Sequence, residues 1–190
     1  MDPLARLFGS SARIKLLRLF LFNDDQQFSV ADAAYRTKTP KDTVRREITS
    51  LVSIGVLNKR SVKGKPCYTA NQRFAHHEAL YAFLRSTTKV GDKEMVATIK
   101  RAGTIRLIVL SGLFSGAVES KADLLIVGDR LDEKALEQGV RKLEAELGRE
   151  LRYAAFSTPD FRYRVGVYDR LVRDVMDFPN RILLDKIGIE

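Results

Sequence analysis

Apolar positions recur at helical spacing through the first quarter of the chain and then give way to short alternating runs. Residues 11–22 (SARIKLLRLFLF) place hydrophobic side chains every three or four positions until Asn23-Asp24-Asp25 breaks the series, so a helix is predicted to end there. In Ser29-Val30-Ala31-Asp32 a hydroxyl is followed three positions later by a carboxylate, a pairing that caps a second helix. A short turn, Thr37-Lys38-Thr39, separates it from a third helix, for which Thr39 is the expected cap. Pro40 should open that helix, where its missing N–H costs nothing. Val44, Ile48 and Leu51 fall on one stripe of this helix; Asp42, Arg46, Thr49 and Ser53 lie roughly opposite, with Lys41 and Arg45 on the flank. Residues 56–62 and 66–70 then read as two short strands joined through Lys63-Gly64-Lys65, a hairpin whose glycine permits the tight turn. Helical spacing returns over residues 74–86 (FAHHEALYAFLRS), with Phe74, Leu80, Phe83 and Leu84 available to pack against the hairpin domain or a second subunit.

The second half alternates between the two periods. A helix from Lys93, a strand at residues 105–112, a buried strand within ESKADLLIVGD and a helix over residues 132–147 are expected in turn. Leu136, Val140, Leu143 and Leu147 form the long helix's inner stripe, Leu131 can staple against Leu136, and Gly148 closes it. A strand at residues 151–156, helices from Thr158-Pro159 and at residues 169–176, and a terminal strand at residues 181–187 complete an α/β (α+β) pattern with a small mixed sheet covered by helices. Two domains follow, residues 1–86 and 87–190.

Composition sharpens this division. The chain has 190 residues and a formal charge of +9. Residues 1–86 hold 15 Lys+Arg against 7 Asp+Glu, whereas residues 87–190 hold 18 against 17. The excess of +8 in the first half points to a polyanionic partner, nucleic acid being the usual one. The single cysteine, Cys67, excludes an internal disulfide framework and suits a small strand residue. His76 and His77 are adjacent, hence about 100° apart on a helix, and poorly placed to share an ion. No stretch approaches the ~18 to 20 apolar residues of a membrane span, and MDPLARLF lacks the layout of a signal peptide, so a cytoplasmic protein without membrane contact is expected.

The order of third helix, Leu-x-x-x-Gly-Val-Leu exit and basic-tipped hairpin in TPKDTVRREITSLVSIGVLNKRSVKGKPCYTAN resembles the winged helix-turn-helix of ArsR-like and MarR-like regulators over residues 8–75. The resemblance implies double-stranded DNA as partner, bound by a homodimer. The third helix would read the major groove through Thr39, Lys41, Asp42, Thr43, Arg45 and Arg46, and Lys59, Arg60, Lys63 and Lys65 of the wing would meet the backbone or a neighbouring minor groove.

Residues 93–188 resemble the minimal nucleotidyltransferase-like domains of the DNA polymerase β superfamily, through LSGLFSG…ESKADLLIVGD…ELGRELRYAAFSTPDF…DFPNRILL. Members hold two magnesium ions with an Asp-x-Asp on one strand and a third acid on a later one. Alignment on Leu124-Leu125-Ile126-Val127 puts Asp123 at the second acid, Lys121 at the first, and Ser111-Gly112 at the glycine-serine turn. Residues 151–156 carry no acid. An ammonium in place of a ligand charge makes a poor divalent-ion site, so the domain is expected to have no catalytic residues, resident metal or cofactor. Ser111, Gly112, Gly116, Lys121 and Asp123 could instead bind a nucleotide or other anion without turning it over. The function implied is a transcriptional regulator whose second domain serves ligand sensing or assembly. The alternatives are an active magnesium-dependent nucleotidyltransferase and an antitoxin-like protein-binding partner.

Overall fold

The structure, a computed structural model, describes residues 3–116 and 119–189. It is mixed α+β and divides into two compact units. The first comprises residues up to Val90 together with Arg141–Arg149; the second comprises Gly91–Val140 and the residues from Glu150 onward. The boundary expected after Ser86 falls inside a helix, and the division lies after Val90 instead.

In the first unit α1 (Pro3–Leu7) and α2 (Ser11–Leu21) lead to α3 (Val30–Thr37) and α4 (Lys41–Ser53). The Ser10 side chain caps α2, and Ser29 with Asp32 forms the reciprocal capping box expected for α3. Thr39 does not cap α4. Its N–H donates to Ala34 O (3.1 Å) in the turn that ends α3, and its hydroxyl donates back to Thr37 O (3.2 Å). The cap position falls to Pro40, one residue before the helix and without a side-chain hydrogen bond. Strands β1 (Leu57–Val62) and β2 (Lys65–Ala70) make the antiparallel hairpin, and Phe28 bridges to Tyr68 on the far edge of β2. Helix α5 (His77–Thr87) starts three residues later than expected, with His76 at its cap. Leu84 of α5 is buried, and Phe74, Leu80 and Tyr81 pack on a core built from Ile14, Leu16, Phe20, Val44, Ile48, Leu51 and Val56. Of the two surfaces expected to receive this apolar face, the unit's own core or a second subunit, the core takes Leu84, Phe74 and Leu80.

The Arg141–Arg149 segment is held by α2 and the residues after it. Arg18 donates to Glu146 O (3.1 Å), Lys15 pairs with Glu146 (2.7 Å), and Asn23 donates to Gly148 O (2.7 Å). These donors satisfy carbonyls that a helix end leaves open.

In the second unit α6 (Asp92–Ile99) precedes β3 (Thr104–Leu110) and β4 (Leu124–Asp129). Helix α7 (Glu133–Leu147), capped by Asp132, leads to β5 (Tyr153–Phe156), followed by α8 (Thr158–Gly166), α9 (Arg170–Asp177) and β6 (Arg181–Asp185). The sheet order is β5-β4-β3-β6, with β4 and β5 parallel and the other pairs antiparallel. Residues 107–110 and 124–127 are buried on both faces, as central strands covered on two sides must be. Leu107, Val109, Leu125 and Val127 meet Phe161, Val172 and Val175 of α8 and α9 on one of those faces.

Two glycines with positive φ separate a steric requirement from a conformational one. A Cβ on Gly148 (φ 73°) would stand 2.6 Å from the backbone of Arg18, whereas one on Gly64 (φ 75°) would meet nothing within 4 Å. Gly64→Ala should cost about 1 kcal/mol, the left-handed penalty alone. Gly148→Ala should cost clearly more, because the clash is with backbone. Chemical denaturation of both variants checks the order.

Candidate functional site

Burial decides which side chains of α4 reach solvent. Val44, Ile48 and Leu51 are buried, and Lys41, Asp42, Arg45, Arg46, Thr49 and Ser53 are exposed, while Thr43 and Thr39 are half-buried. Glu47, half-buried, is drawn to the side of α2 by Arg13 (Nε to Oε2, 2.8 Å), which neutralises its carboxylate. Asp42 pairs with Arg45 at 2.9 Å, but both side chains are largely in water, so the pair is weak. Arg46 makes no ion pair among the described residues.

The hairpin adds its own cations. Lys63 (φ 49°) and Gly64 (φ 75°) form its two-residue turn, both left-handed, as a type I′ turn demands. Lys63 and Lys65 stand exposed at the tip. Along β1 side chains alternate, so Lys59 and Arg60 point to opposite faces of the ribbon. No other strand among the described residues pairs with the outer edge of β1. An open groove of about 810 Å³ beside the hairpin is lined by residues of both strands and includes Asp24, Asn58, Lys59, Arg60, Gln72 and Arg73. Arg73 is a cation the sequence reading passed over. The signal was faint: it follows the hairpin directly, in a turn where Asn71 Oδ1 accepts its N–H (3.1 Å).

In the second unit Asp123 is 3% exposed and fully engaged. Leu113 N–H donates to Oδ1 (2.8 Å), Arg152 N–H donates to Oδ2 (2.9 Å), and the Arg152 guanidinium grips both oxygens (3.1 and 2.8 Å). A Cβ on Gly112 would stand 2.2 Å from Oδ1, so the bare backbone at residue 112 makes room for this contact. Burial opposes ionisation, yet the Arg152 fork and the two amides outweigh it and hold the carboxyl below its ordinary value. Four donors occupy the lone pairs that a metal ion would need.

The remaining expected anion-site residues do not form one open cradle. Ser111 is fully buried and donates to Ser120 Oγ (3.0 Å). The Lys121 N–H donates to Asp174 Oδ2 at 2.6 Å, which brings a carboxylate from α9 against the segment expected to receive an anion. Lys121 and Gly116 are exposed. Asp174 escaped the sequence reading because it arrives from a helix more than 50 residues away. No group of three His, Cys, Asp or Glu side chains able to hold a metal occurs among the described residues. No helix among them is long and apolar enough to cross a membrane. Comparison with protein-family models, curated proteins and solved structures finds no match to this chain.

Asp123→Asn should destabilise the protein by about 2 to 4 kcal/mol at neutral pH, because an amide offers the Arg152 fork one acceptor instead of two, sets an NH2 donor against the other arm and removes the counter-charge. The folded carboxyl ionises at lower pH than the unfolded one, whose value is near 3.8. Its contribution is thus complete above that value and is lost as pH falls through the folded one. Urea titrations of the two proteins should converge as the solution is acidified below 3.8.

Proposed function

We propose that this chain is a sequence-specific DNA-binding transcriptional regulator, with a winged helix-turn-helix in residues 3–90 and a catalytically inactive nucleotidyltransferase-like domain beyond it. One observation carries the reading. The buried stripe of α4 turns Lys41, Arg45 and Arg46 outward in the same unit that presents Lys63 and Lys65 on a tight hairpin. A helix of that kind fits the major groove, where a guanidinium meets the two acceptors of a guanine edge, and a basic hairpin reaches the adjoining backbone. Lys63 supports it further, since a lysine in a left-handed turn position is less comfortable than asparagine or glycine and gains nothing from burial.

The second domain is assigned regulation or assembly because Asp123 is committed to Arg152 and Leu113. An enzyme of this kind must free its carboxylates for two metal ions that stabilise the attacking and leaving oxygens. Breaking the Arg152 grip would cost more than a weak divalent site returns.

Arg46→Ala should weaken specific duplex binding by about 1 to 3 kcal/mol and relax preference at one base pair. Lys63→Asn keeps the turn chemistry and removes the charge. It should weaken all duplexes alike and reduce the slope of log K against log salt by about one unit. Fluorescence anisotropy at several salt concentrations separates the two effects, and equal binding by wild type and a variant carrying both Arg46→Ala and Lys63→Asn would sink the assignment. Incubation with labelled nucleoside triphosphates, magnesium and nucleic-acid or protein acceptors should give no transfer that depends on Asp123. Transfer abolished by Asp123→Ala would restore the enzymatic alternative.

A further inference from the structure

The two long edges of the hairpin differ. Phe28 and Tyr68 exchange both backbone bonds (Phe28 N–H to Tyr68 O, 3.0 Å; Tyr68 N–H to Phe28 O, 2.9 Å), so the Tyr68 amide and carbonyl face away from β1. Opposed residues of an antiparallel ladder alternate between bonded and non-bonded pairs. Tyr68 stands opposite Lys59, which makes theirs a non-bonded pair and turns the Lys59 N–H and C=O outward as well. Two positions on, Ser61 is turned the same way, opposite Pro66. On the β2 side this outward set is occupied at Tyr68 by Phe28 and has no donor at Pro66. On the β1 side the amides and carbonyls of Lys59 and Ser61 meet no backbone partner among the described residues, and both residues are exposed. Charge there is one-sided. Lys59 and Arg60 are exposed and make no ion pair among the described residues. The groove beside the hairpin adds Arg73, against one carboxylate, Asp24, which accepts from Gln72 Nε2 (3.1 Å).

We propose that the outer edge of β1 receives an extended acidic segment of another protein, which joins the hairpin as a third strand. Outward N–H and C=O groups at strand spacing match a second peptide backbone, which returns a donor for each acceptor. A nucleic-acid backbone fits less well, because phosphates only accept and would set oxygens against the Lys59 and Ser61 carbonyls. Charge then selects among peptides. Lys59 and Arg60 point to opposite faces of the ribbon, so two consecutive acids on the added strand meet one cation each. A second copy of β1 is refused by the same charges, since a two-fold antiparallel pairing centred on Lys59 or Arg60 sets like side chains directly opposite. Lysine on an unpaired edge guards against such pairing, and an acidic strand turns that guard into a contact. Backbone bonds and ion pairs made in water are individually weak, so the dissociation constant should lie on the order of tens of micromolar. Acids held beside Lys63 and Lys65 should also loosen duplex DNA; only that consequence rests on the DNA-binding reading.

Amide hydrogen exchange on the full chain tests the edge. The probe is a peptide of about ten residues, valine and threonine around two central glutamates, long enough to span β1 at about 3.3 Å per residue. In the free protein the Lys59 and Ser61 amides should exchange quickly and the Arg60 amide, bonded across the ladder, slowly. Peptide at about 1 mM should slow exchange at Lys59 and Ser61 by about tenfold or more. Fluorescence anisotropy of the labelled peptide should show binding weakened about tenfold or more by Arg60→Glu, whose melting temperature stays level because Arg60 is exposed. Ser61→Pro removes one edge donor and no ladder bond, and should weaken binding as well. A peptide with lysines in place of the glutamates should not bind at the same concentrations. Unchanged exchange at Lys59 and Ser61, or equal affinity for wild type and Arg60→Glu, overturns the proposal. So does protection of these two amides by duplex DNA with none from the peptide, which would give the edge to nucleic acid. No DNA enters the peptide titrations, so failure of the DNA-binding reading would leave their result standing.

Discussion

Three buried side chains, Val44, Ile48 and Leu51, fix where every cation of α4 points. Their stripe seats the helix on a core that also contains Phe20 and Leu84, and the rotation this imposes leaves Lys41, Arg45 and Arg46 in water. The Arg13–Glu47 pair acts in the same direction, fastening the flank of α4 to α2 and neutralising an acid that would otherwise dull the positive field. Hairpin geometry follows from a different constraint, the two left-handed residues of its turn, which set the register from Val62–Lys65 to Leu57–Ala70 and hold both tip lysines outside the core. The basic face is thus a product of packing on one side and turn chemistry on the other.

The second unit answers to another constraint. Asp123 lies just before the central strand β4, and β5 runs parallel beside that strand, so Arg152 at its entrance arrives within reach of the carboxylate. A buried charge has to be paired, and here one arginine and two backbone amides do so completely. The pairing knits β4, β5 and the turn after β3 together. Asp174, turned toward the Lys121 amide and Ser120, ties α9 to the same corner.

Local pattern carried most of the fold. The α4 stripe, the Ser29–Asp32 capping box, the hairpin and the order of the strands in the second half are all legible because each depends on residues within a few positions of one another. Misreadings arose where a neighbour claimed a group first: Thr39 was committed to the end of α3 before it could cap α4. The rest was set by distance along the chain. Arg152 meets Asp123 across 29 residues and Asp174 meets the Lys121 amide across 53, through strand pairing and helix docking that no short window contains.

Selection of bound duplexes from a random pool, at one fixed salt concentration near physiological, tests the central claim most directly. If α4 reads base edges, a short motif should emerge, and the preference at one of its positions should disappear when the selection is repeated with Arg46→Ala. Recovery of a pool with no enriched motif, or of the same motif from wild type and from a protein lacking Lys41, Arg45 and Arg46, would contradict it.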